Sequence, residues 1–171
     1  MTLLQLIVNG LALGAAYALV ALGFVFIVNA TSAVNFAHGD LVMAGGYVAV
    51  GLGAVAAVPI IVLLPLVAAI MFVVGVAFSF VAYFPLANRP PSTVFISTLL
   101  CGIVLQNLFL VLFGPQAHAA PPLIRSGIVH LGGIDISIQA LGTLAVAAAL
   151  IALQYFVFAR TQIGRRLRAT A

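Results

Sequence analysis

Residues 3–28 read LLQLIVNGLALGAAYALVALGFVFIV, 26 positions without one charged side chain. As an α-helix this run would reach roughly 39 Å at about 1.5 Å per residue, against a bilayer core of about 30 Å, so it crosses with tilt to spare. Its small residues Gly10, Gly14, Ala18 and Ala21 recur at spacings of four and three. That pattern predicts a stripe along which a neighbouring helix packs closely. The rest of the chain has the same character. Of 171 residues only eight are charged and 65% are hydrophobic, with a mean hydropathy of +1.37. A soluble domain, in which about a quarter of the residues are charged, is excluded. So is a disordered chain, which needs low hydrophobicity and high net charge. Long unbroken apolar runs, rather than alternating strands of about ten residues, select a helical membrane protein over a barrel.

Four further apolar segments follow. Leu41–Val58 is short, rich in glycine (Gly45, Gly46, Gly51, Gly53) and stopped by Pro59, which predicts a short, kinked or broken helix. The run from Ile60 to Leu86 carries Pro65 in its first turns, where a missing N–H costs least. Ser92 is the expected N-cap of a helix over Thr93–Phe113 that Gly114-Pro115 ends. Beyond it, Ile128–Leu131 and Ile134–Ile138 flank Gly132-Gly133 and predict a β-hairpin. A last helix is expected over about Ile138–Ala159. The fold expected is all-α: a polytopic helical membrane protein of about five spans, with a broken or re-entrant helix and a small outer hairpin, forming one transmembrane domain over residues 1–171.

The charges orient this plan. Residues 1–88 contain no Lys or Arg, whereas Arg89 and the group Arg160, Arg165, Arg166 and Arg168 carry five of the six Arg. These two clusters lie two helices apart, hence on one side, and the positive-inside bias makes that side the cytoplasm. Arg125 and the hairpin then lie outside; counting back through three spans puts the N-terminus outside too, whereas a cluster over Asn29–Asp40 that dips into the bilayer as a re-entrant segment flips the N-terminal end. The distribution is that of a membrane protein and not of a nucleic-acid surface. With no basic region before it, the first run is expected to remain as a membrane helix rather than a cleaved leader. Lysine is absent, so neither a P-loop nor a Schiff-base mechanism is available. A lone Cys101 in an apolar run is a space-filling residue.

Asn35-Phe-Ala-His38-Gly39-Asp40 is the strongest anomaly, an acid, an imidazole and a carboxamide between two membrane runs. Ionisable groups there are costly and mark a pathway or gate. An interfacial loop in which Asp40 caps the following helix fits the same residues. Gln106 and Asn107 past the middle of their helix either line a path or hydrogen-bond between helices.

At this segment the chain resembles a known family. Gly14-Ala-Ala-Tyr17-Ala-Leu-Val-Ala-Leu-Gly23, followed by Val34-Asn35-Phe-Ala-His38-Gly39-Asp40-Leu-Val-Met-Ala-Gly-Gly-Tyr47, closely resembles the amino-terminal signature of the LivH-type permeases of bacterial branched-chain amino acid ABC transporters. Arg89-Pro90 resembles the family's short cytoplasmic loop, Leu105-Gln106-Asn107 its polar pair, and Leu131-Gly132-Gly133 its outer hairpin. Thr161-Gln-Ile-Gly164-Arg-Arg-Leu-Arg168-Ala169 resembles the start of its cytoplasmic coupling segment. The resemblance covers nearly the whole chain, and family members continue with further spans, so the chain is expected to be truncated relative to them.

The resemblance implies a multi-pass permease subunit of the bacterial inner membrane, carrying branched-chain or related amino acids. Asn35, His38, Gly39 and Asp40 would belong to a broken helix at the translocation path, with Gly39 allowing close backbone approach and Gln106 and Asn107 lining the path. Gly10, Gly14 and Ala18 would pack helices. Arg165, Arg166 and Arg168 would either face the ATPase or serve as plain positive-inside anchors. The partners implied are a second permease subunit, cytoplasmic ATPase subunits and a periplasmic substrate-binding protein, with no nucleic acid. No cofactor is expected in this chain; ATP would be bound by the ATPase. Permeases of the same family for urea or short amides, an ATP-independent channel and a non-transporting structural subunit are the rival readings. A membrane enzyme is disfavoured because His38 and Asp40 alone make no catalytic constellation.

Overall fold

The computed structural model describes residues 3–55, 59–116, 127–131 and 134–160. The long helices are α1 (Leu3–Thr31), α2 (His38–Val55), α3 (Ile60–Ala82), α4 (Pro91–Phe113) and α5 (Ile138–Arg160), with a 3-10 turn at Phe84–Leu86 and strands β1 (Ile128–Leu131) and β2 (Ile134–Ser137). Four of these helices are long and apolar enough to cross a membrane, and α2 is not among them. The chain is a polytopic helical membrane protein. It divides into two units, Met1–Ala30 with Pro122–Ala171, and Thr31–Pro121.

Side-chain size is distributed as lipid, not water, requires. The buried apolar positions are small: Ala12, Ala33, Ala37, Ala44, Ala82, Ala140 and Ala147, joined by Leu63 and Val94. Large apolar side chains stand outside, as at Val111 (82% exposed) and Leu3 (78%). Since hydrocarbon solvates Leu as well as a protein core does, helices gain by close backbone approach and keep bulk on the lipid face.

In the unit of α1 and α5, β1 and β2 pair antiparallel with Leu131 opposite Ile134 and Ile128 opposite Ser137. The expected hairpin therefore forms. Ile138 begins α5 instead of ending the second arm. Ser137 is the N-cap there, its Oγ accepting the N–H of Ala140 at 3.2 Å, and a cap bond of this kind holds the third helical residue. The Gly10, Gly14, Ala18 stripe is exposed. A Cβ at Gly10 or Gly14 would meet nothing within 4 Å, so the described part of this chain does not pack on it.

In the other unit, α2, α3 and α4 pack together. Pro65 falls inside α3 in its second turn, as expected of a proline tolerated near a helix start. Ser92 is not the cap of α4: the helix begins at Pro91, with Pro90 at the cap position and no side-chain cap bond. Proline at the first helical position needs none, because its φ is already helical and it has no N–H to satisfy. Gly114 ends α4 at φ 79°, a left-handed conformation that glycine adopts without a steric penalty.

Candidate functional site

The polar segment Asn35–Asp40 forms the join between α1 and α2, and the backbone there is bent by its own side chains. Ser32 takes a φ of 51°, unusual for a residue with a Cβ. Thr31 Oγ1 donates to the Ala33 carbonyl at 3.1 Å and accepts the Ala33 N–H at 3.3 Å. Asn35 Oδ1 accepts the Ala37 N–H at 3.0 Å, the two-residue side-chain turn that Asn makes readily. The chain is thus turned into α2 at His38, three residues before the apolar run begins.

This changes the part Asp40 plays. The sequence suggested it as the helix cap, but α2 already includes it in its first turn. Its Oδ1 accepts a hydrogen bond from Gln106 Nε2 at 2.6 Å. An acid in a first turn still favours the helix dipole, while the carboxylate is committed to α4. Gln106 therefore makes the interhelical bond, and Asn107 does not: its Nδ2 donates to Ile103 O of its own helix at 2.7 Å.

Contacts along α4 fix where α2 starts. The Phe36 ring meets Phe95 edge-on at 4.3 Å, and the Phe36 N–H donates to Thr98 Oγ1 at 3.2 Å. Ala37 lies against Gly102, Asp40 against Gln106, and Tyr47 stacks on Phe109 at 5.0 Å and meets Phe113 at 4.7 Å. Numbers rise together on both partners, so α2 runs parallel to α4. Gly102 stands midway along the 23 residues of α4, a helix of roughly 34 Å. At its other end the join is tied by the Tyr83 hydroxyl, just past α3, donating to Thr31 O at 3.3 Å. The join thus climbs from the α3 end to the middle of α4, and there α2 begins. It is a re-entrant geometry, with a helix N-terminus at half the length of a membrane-spanning neighbour.

Of the residues singled out from the sequence, Asn35, His38, Asp40 and Gln106 come together at this break. Asn107 stands beside them on a cleft of about 360 Å³ lined by Met43, Tyr47, Gln106, Phe109 and Leu110, with Gly114 and Pro115 at its end. Gly39 is exposed, and a Cβ there meets nothing within 4 Å; the close backbone approach is at Gly102 instead. A Cβ at Gly102 would overlap Asp40 Oδ2 and lie 3.4 Å from Ala37 Cα and Cβ. Sequence reading missed Phe95, Thr98 and Gly102. Their spacing of three and four, continued to Gln106, is the signal that would have found them, since it defines one helix face. Arg125 lies outside the described residues, and so do Arg165, Arg166 and Arg168 with the coupling segment expected there.

Comparison with known proteins places a family on this architecture. The family described as branched-chain amino acid transport system, permease component, matches residues 6–171. The chain is 30% identical to the high-affinity branched-chain amino acid transport system permease protein BraD of Pseudomonas aeruginosa, covering 98% of this chain and 59% of that protein. It is 31% identical to the permease protein LivH of the corresponding Escherichia coli K12 system, over 98% of this chain and 58% of that protein. The LivH of Salmonella typhimurium is 28% identical, with the same coverage. The chain thus spans a little under three fifths of the length of these curated relatives. No solved structure matches it.

Proposed function

Because the chain belongs to the permease-component family of branched-chain amino acid transport systems, we propose that it is part of the inner-membrane translocation path of an ABC importer for branched-chain or related amino acids. The observation that carries this reading is the start of α2 midway along α4, with Asn35, His38 and Asp40 around it. A helix N-terminus at half depth offers partial positive charge, and carboxamides offer paired donors and acceptors. Together they offer a zwitterion partners for both of its ends, while the one carboxylate at the break, Asp40, is held by Gln106. Affinity is left to a periplasmic binding protein, and energy to cytoplasmic ATPase subunits. A second permease subunit completes the path. On this reading Gln106 orients Asp40, Asn107 lines the adjoining cleft, and Arg165, Arg166 and Arg168 meet the ATPase.

The test is uptake of labelled leucine by cells carrying the complete transport system. Asp40→Ala and His38→Ala are expected to lower the initial rate while the protein reaches the membrane in normal amount by immunoblot. Wild-type rates in both variants would refute the assignment of the path to this break. Uptake should also stop when the ATPase subunits are inactivated; undiminished flux would instead identify a passive channel.

A further inference from the structure

Apart from Val34 and Phe36, the residues of the break between α1 and α2 are short or polar, and Ser32 is in a left-handed conformation. The Phe36 ring rests on Phe95 of α4. What holds it is one face of α4. Thr98 is 2% exposed, and its hydroxyl donates to Phe95 O at 2.9 Å while accepting the Phe36 N–H at 3.2 Å. One turn on, Gly102 is buried and presents bare backbone to Ala37, which is 0% exposed. A single added methyl at Gly102 would overlap the Asp40 carboxylate and crowd Ala37. The neighbouring Gln106 then holds that carboxylate.

From this we infer that Thr98 and Gly102 are positioning residues. They form a seat on α4 that fixes how deep and how close the N-terminus of α2 is held, and through it the placing of His38 and Asp40. Neither residue needs to touch the transported molecule. The inference rests on reading the break as part of the path. The two are separable, because the seat has a structural readout independent of transport.

The experiment uses the complete transport system with Cys101→Ser as background and Gly39→Cys as the reporter, a position where an added Cβ meets nothing within 4 Å. Labelling of this cysteine by a water-soluble maleimide reports the exposure of the first turn of α2. Leucine uptake is measured in the same seat variants without the reporter. Gly102→Ala is expected to change the labelling rate and to lower uptake by roughly tenfold, the scale of a misfit methyl in a packed contact. Thr98→Val, which keeps the shape and removes the acceptor, should do the same, whereas Thr98→Ser should restore both readouts. Unchanged labelling in Gly102→Ala and Thr98→Val overturns the seat, whatever uptake does. Changed labelling with wild-type uptake upholds the seat and overturns the path reading. If Gly102→Ala does not accumulate in the membrane, the Thr98 pair decides alone.

Discussion

At the scale of single residues, the join between α1 and α2 depends on side chains that bend their own backbone. Asn35 satisfies the Ala37 N–H just ahead of α2, so Asn35→Ala should cost about 1 kcal/mol, the ordinary worth of such a bond at a helix start. Asn35→Asp, which keeps the acceptor, should recover most of it. Ser32 holds a φ of 51°. A β-branched residue is penalised there, so Ser32→Val should destabilise by about 1–2 kcal/mol, while Ser32→Gly should be neutral or better. Thermal unfolding of the purified protein in detergent, followed by loss of the monodisperse peak, checks both pairs. The sequence singled out Asn35 and Asp40, but it offered Asp40 as the helix cap and not as the partner of Gln106. Side-chain direction decides those roles, and a helix that starts three residues early turns Asp40 from a cap into a partner of Gln106.

At the scale of elements, the apolar runs were legible because lipid demands length and composition, and both can be counted. α1, α3, α4 and α5 fall within a few residues of the predicted segments, and the Gly-Gly pair located the hairpin. Helix ends were less legible. Pro91 displaced Ser92 because a proline at the first helical position needs no cap, and Ser137 proved to be a cap because the second strand runs directly into α5. Ser137→Ala should therefore lower stability by about 1 kcal/mol and fray the first turn of α5, with Ser137→Asp restoring it. Faster hydrogen exchange confined to residues near 138–141 is the expected signature. The seat on α4 was hidden for a different reason. Thr98 and Gly102 look like ordinary small residues of a membrane helix, and only the course of a segment more than sixty positions away gives them a task.

At the scale of the whole molecule, each unit keeps its bulk outside and alanine inside. Added bulk at the buried alanines should therefore be costly, and removal of bulk from the exposed positions should not be. Ala147→Leu or Ala44→Leu, at positions 2% exposed, should destabilise by about 1–3 kcal/mol through overpacking. Val111→Ala and Leu112→Ala on the lipid face should change stability little, since the removed methyls leave one apolar environment for another. Melting in detergent of the four variants side by side distinguishes this from an arrangement with Val111 and Leu112 buried and Ala44 and Ala147 exposed, where the order would reverse.

The tie between the break and α4 also sets a timetable for biosynthesis. Phe36 bonds to Thr98 across 62 positions and Asp40 to Gln106 across 66, so neither bond can form until α4 has left the ribosome. At about 5–20 residues per second, that is a wait of roughly 3–13 seconds during which the Asn35–Asp40 segment has no seat. α2, short and polar at its start, then has little reason to enter lipid alone. Its insertion should follow that of α4, and a nascent chain stalled before Val94 should expose the segment to the aqueous side.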